Sequence, residues 1–134
     1  MRREGRCFIS LRRRRRVERE INLDNIATFR DTKHPDRILE LDDGSVIVIE
    51  ETRRPRPEDI DKLLSLLETV GGDWSSLLGY KRPTSIICVV HHTRSDTAFY
   101  IHMRSKGIHR AFQRYRARII AVECNRELRN KSHI

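Results

Sequence analysis

The chain has 134 residues, with 28 Lys and Arg against 19 Asp and Glu and a formal net charge of +9. That length suits one domain with a single core, and 37% hydrophobic residues gathered in aliphatic runs exclude a disordered chain. No apolar run approaches the roughly 20 residues of a membrane span, and Cys7-Phe8-Ile9-Ser10-Leu11 is too short for the core of a signal peptide, so a cytoplasmic protein is expected. Three widely spaced cysteines, Cys7, Cys88 and Cys124, favour reduced thiols and lack the paired spacing of a zinc site.

Residues 1–16 read as a basic arm. Arg12, Arg13, Arg14, Arg15 and Arg16 follow one another directly. Such a run adds sequence-independent affinity for nucleic acid by releasing counterions. Each guanidinium also offers a fork matched to phosphate oxygens. A single domain is expected over residues 17–124. Its first segment allows a helix over residues 12–21, because Arg13, Val17 and Ile21 recur at i,i+4, and a strand is the alternative. Glu18 and Glu20 read as surface partners of nearby arginines.

Residues 34–52 carry the densest information. Arg37–Leu41 and Val46–Thr52 form two strand-like runs around Asp42-Asp43-Gly44. A three-residue loop closed by a left-handed Gly44 opposes Leu39 to Ile47 and Asp36 to Glu50. A two-residue loop would pair Asp36 with Glu51 and send Glu50 to the other face. Under the first register two carboxylates share one end of the hairpin, an arrangement that binds a divalent cation. Val46-Ile47-Val48-Ile49 is apolar on both faces, as in a central strand, so Glu50 at its end is expected to be partly buried.

Pro57, Glu58 and Asp59 start a helix, Ile60, Leu63, Leu64 and Leu67 give its apolar stripe, and Gly71-Gly72 ends it. Lys62 lies off that stripe and reads first as a solvent lysine. A short helix over 73–78 carries Trp74. Thr84–Val90 reads as a buried strand running into His91-His92, whose side chains point to opposite faces. Residues 97–103 fit strand or helix, whereas Lys106–Arg116 fits a helix with Arg110 and Arg114 on a second cationic face. Arg118–Glu123 reads as the final strand, and 125–134 as a polar tail.

Pro35-Asp36, the hairpin, Glu50-Glu51-Thr52 and a following helix resemble the PD-(D/E)XK nuclease superfamily over roughly residues 34–92. The resemblance implies a restriction-endonuclease-like α/β fold, a mixed central sheet with flanking helices. It also implies a magnesium site, with manganese as a substitute, held by Asp36, Glu50 and the Glu51 carbonyl. Thr52 stands where that family usually carries Lys. The nearby cations are Arg53, Arg54 and Lys62, of which arginine is a poor proton carrier because it stays protonated. Asp36, Glu50, Thr52 and Lys62 are the candidate catalytic residues. Arg12 through Arg16, Arg53, Arg54, Arg110 and Arg114 are the candidate phosphate contacts.

The expected function is nucleic-acid binding, DNA ahead of RNA, by a nuclease-like protein with slow or absent metal-dependent cleavage. The alternative is a non-catalytic nucleic-acid-binding or assembly subunit, and a homodimer is compatible with either.

Overall fold

The computed structural model describes residues 16–124, so Arg12–Arg15 and the polar tail lie outside the described residues. In chain order the elements are β1 (Val17–Asn22), a 3₁₀ turn (Leu23–Asn25), α1 (Ala27–Arg30), β2 (Arg37–Leu41), β3 (Val46–Thr52) and α2 (Pro57–Val70). They are followed by α3 (Ser75–Leu78), β4 (Ile86–His92), α4 (Thr97–Arg104), α5 (Lys106–Gln113) and β5 (Ala117–Glu123).

The five strands form one mixed sheet in the order β1-β2-β3-β4-β5. The first three are antiparallel neighbours, whereas β3, β4 and β5 run parallel. Parallel neighbours need long crossovers, which here contain α2 and α3, then α4 and α5. The sheet is therefore α/β in its second half and a meander in its first.

Val46 to Ile49 are at most 1% exposed, as the unbroken apolar run requires of a central strand. On one face Ile38, Val46, Val48, Cys88, Val90 and Ile119 pack against Ile60, Leu63 and Leu67 of α2 and Phe99 and Phe112 of α4 and α5. On the other, Leu39, Leu41, Ile47, Ile49 and Val89 form a second buried cluster. Among the described residues every helix gives its buried apolar side chains to the first cluster, and the second is built from strand residues alone.

The segment after the arm is a strand, not a helix. Glu20 consequently meets Arg37 across the β1–β2 ladder at 3.1 Å rather than along a helix. Residues 97–104 are helical, the ambiguous segment being started by Asp96, whose carboxylate accepts the Phe99 N–H. Cys88 is a free, buried thiol whose burial raises its pKa, but Cys124 is disulfide-bonded, against the expectation of three reduced thiols.

The hairpin adopts the three-residue loop. Leu39 faces Ile47, the Leu41 N–H donates to the Ser45 carbonyl at 2.9 Å, and the Gly44 N–H donates to the Leu41 carbonyl at 3.1 Å. Gly44 has φ of 85°, and a Cβ there would stand 2.7 Å from the Thr84 Oγ1. Thr84 Oγ1 also donates to the Asp43 carbonyl, so it cannot turn away without losing that bond. Gly44→Ala is expected to lower stability by about 1–3 kcal/mol, from left-handed strain and the displaced hydroxyl. Urea unfolding of the two proteins measures it, and an unchanged midpoint would contradict this account of the turn.

Candidate functional site

In open α/β sheets ligands bind beyond the carboxyl ends of the parallel strands. That edge here collects Glu50, Glu51 and Thr52 from β3, His91 and His92 from β4 and Glu123 from β5. Because β2 is antiparallel to β3, Asp36 joins the same edge from the start of β2. The ladder ends at Arg37 opposite Ile49, and one step further puts Asp36 beside Glu50. Asp36 is pinned there by its N–H donating to the Ile49 carbonyl at 2.9 Å and by its carboxylate accepting the Glu51 N–H at 2.7 Å.

Glu50 is the unusual member. It is 3% exposed, because it continues the apolar run of β3 beneath α2. Lys62, in the second turn of α2, donates from Nζ to Glu50 Oε2 at 2.9 Å and lies 3.6 Å from Asp59 Oδ1. Glu50 Oε1 is buried and has no hydrogen-bond partner. Burial pushes the Glu50 pKa up to about 8, with the charge of Asp36 adding to the rise and Lys62 opposing it. One ammonium therefore does not compensate the lost hydration of this carboxylate. Asp36 is exposed as a residue, yet partial desolvation of its carboxylate and the charge of Glu51 raise its pKa too. Lys62 is raised despite its own desolvation, by its bond to Glu50 and by the surrounding carboxylates, and stays protonated at neutral pH.

The remaining expected residues divide by face and by end. Thr52 is half-buried, and its hydroxyl donates to the Arg54 carbonyl at 3.2 Å. The Glu51 carboxylate points to the other face, where it meets Arg37 at 3.2 Å and His91 at 3.7 Å. Side-chain bonding to His91 and the charge of Arg37 bring the Glu51 pKa below the usual range although burial opposes them. His92, fully buried, bonds the Tyr100 hydroxyl at 2.8 Å on the Glu50 face, and desolvation lowers its pKa. Arg53 and Arg54 are exposed just past β3, beside the carboxylates. Arg110 is exposed on α5, and Arg114 caps that helix at the opposite end of the sheet.

Sequence reasoning underweighted Lys62. The signal was its place in α2: it stands one residue before Leu63, on the turn that lies over the end of the most apolar strand. Asp59, expected at the start of that helix, fixes its first turn: its Oδ2 accepts the Arg56 N–H at 2.8 Å.

Among the described residues no group of three or more His, Cys, Asp or Glu side chains could hold a metal ion. A cation at this edge would rest on two carboxylates and a main-chain oxygen. Magnesium commonly takes one or two carboxylates and keeps several waters, so Asp36 and Glu50 suit it. The partnerless Oε1 of Glu50 is an atom that such an ion would satisfy. No family model matches the chain, and no curated protein or solved structure matches it either.

Proposed function

We propose that the protein binds nucleic acid, DNA in preference to RNA, and acts on it as a slow magnesium-dependent phosphodiesterase of the restriction-endonuclease-like class. The observation that carries this reading is the buried Glu50 with its unpartnered Oε1, set between Asp36 and Lys62 at the carboxyl edge of the sheet. Asp36 and Glu50, with the Glu51 carbonyl, would hold the ion. When bound, such an ion polarises a phosphoryl oxygen and lowers the pKa of water.

The chain's own residues have separate tasks. Lys62 is protonated, so it supplies fixed positive charge to a phosphate and does not take a proton. It stands in from α2 for the lysine that the resembled family carries at the position of Thr52. Burial raises the Glu50 pKa to about 8, so a cation bound there would displace a proton and would bind more strongly as pH rises. Arg53 and Arg54, exposed just past the end of β3, would contact the phosphate backbone. The test is nicking of supercoiled plasmid by the wild-type protein, Glu50→Gln and Lys62→Met, with and without magnesium. Binding without nicking by any of them would leave only the binding function.

The arm supplies affinity. Duplex binding is expected to weaken steeply with salt, each phosphate contact adding about −0.9 to the log–log slope. Replacing Arg12–Arg16 by Ser should flatten that slope, as measured by fluorescence anisotropy across a salt series. An unchanged slope would make the arm a bystander.

A further inference from the structure

The end of the sheet opposite the carboxylates holds a cavity of about 390 Å³. It lies where the loop before β4 meets the turn before β5. Arg82, Arg114 and Arg116 line it with Trp74, Tyr115 and Ser85, and no carboxylate does. None of the three arginines makes an ion pair or a side-chain hydrogen bond among the described residues.

A bland explanation exists for part of this. The carboxyl ends of α2 and α5 both point to this end of the sheet, and cations are favoured beside the negative end of a helix. The magnitudes decide against it as the whole account. Two helix ends contribute roughly −0.5 of a charge each, about −1 in all, against +3 from the arginines. A net positive charge of about two is left over. Arg82 belongs to neither helix. Arg116 has φ of 59° and is the one non-glycine residue with positive φ among the described residues. A glycine would relieve that conformation, and Arg is held there instead.

Size narrows the ligand. A cavity of 390 Å³ equals the share of about a dozen waters in the liquid, and it falls within the range of small-molecule sites. It has room for more than an inorganic anion. Tyr115, partly exposed, gives an aromatic wall beside the guanidinium groups, with the buried Trp74 and Ile86 behind it. Arginine forks match phosphate oxygens, and aromatic rings stack on nucleobases. We infer that this cavity is a second ligand site, independent of the carboxylate edge, that holds a nucleoside phosphate. The source of that chemistry is a free nucleotide or the phosphorylated end of a nucleic-acid strand.

The experiment uses the full chain. Binding of AMP, adenosine, inorganic phosphate and a short single strand with or without terminal phosphates is measured by calorimetry. Trp74, the single tryptophan of the sequence, reports occupancy by fluorescence. AMP should bind saturably and change the Trp74 emission, whereas adenosine and phosphate alone bind at least tenfold more weakly. A strand that binds only when phosphorylated identifies strand ends as the source, and AMP binding without it identifies the free nucleotide. Arg82→Ser should weaken AMP on the order of 10–100-fold. Arg116→Gly should do the same while relieving the left-handed strain, so its effect cannot come from unfolding. Lys62→Met and Glu50→Gln should leave AMP binding unchanged, which separates this site from the carboxylate edge. The inference is overturned if adenosine binds as well as AMP, if both arginine variants bind like wild type, or if Trp74 never responds.

Discussion

Lys62→Met is expected to reduce magnesium-dependent nicking by about 10²–10³, the usual effect of removing one charged or hydrogen-bonding group aimed at a transition state. The ammonium is 2.9 Å from Glu50 and 29% exposed, so it is anchored yet reaches the surface where a phosphate would lie. Glu50→Gln is expected to be at least as damaging, because it keeps the shape but removes a carboxylate charge. Thr52→Lys gives the sharper test. Position 52 lies two residues beyond Glu50 on the same face of β3, so a lysine there can place its charge where Lys62 now does. The Lys62→Met, Thr52→Lys double variant should recover much of the lost rate, whereas Thr52→Lys alone should change it little. Wild-type cleavage that survives both Glu50→Gln and Lys62→Met would sink the mechanism.

The second large effect concerns stability and pH. A glutamate ordinarily titrates near 4.5, and Glu50 does so at about 8 in the fold. The folded state therefore holds this proton more tightly than the unfolded chain. Its contribution is fully present below pH 4.5 and is lost progressively as pH rises to about 8. Each pKa unit is about 1.4 kcal/mol, so the loss is on the order of a few kcal/mol. Glu50→Gln cannot lose a proton there, so it should become more stable than wild type between pH 5 and 9. Denaturant unfolding of both proteins across that range isolates Glu50 from the other titrating groups. Magnesium should restore wild-type stability at high pH and leave Glu50→Gln unaffected. Parallel pH profiles without metal would refute the burial argument.

Much of the sheet was legible in the chain. Local rules were sufficient for β3 and α2: an apolar run with no alternation, and a stripe at helical spacing bounded by Pro57 and Gly71. The Asp42-Asp43-Gly44 loop left two pairings open, because Gly44 takes positive φ in either; in the fold Asp43 does not, and the three-residue loop brings Asp36 to Glu50. The first strand was not legible, since Val17 and Ile21 fit one face of a helix at i,i+4, whereas in the strand a bulge between Val17 and Arg19 sends them to opposite faces of the sheet. Lys62 was hard to place for a different reason. Periodicity tells which residues of a helix face the core, but not which strand end that helix covers. The meeting of Arg82, Arg114 and Arg116 was likewise invisible, because it depends on the return of two crossovers to one end of the sheet.

The change of strand direction at β3 also orders the assembly of the domain in time. The β2–β3 hairpin closes over three residues, and hairpins form in about 1–10 μs. The parallel pairings of β3 with β4 and of β4 with β5 require crossovers with helices in them, and such non-local closure is slower. Asp36 and Glu50 therefore meet early, before α2 docks and delivers Lys62. Their repulsion works against the nascent hairpin, and docking of α2 then adds both the Lys62 ammonium and the burial that raises the Glu50 pKa. The charge arrangement at this edge thus couples the local half of the fold to the non-local half, favouring all-or-none folding over a persistent hairpin.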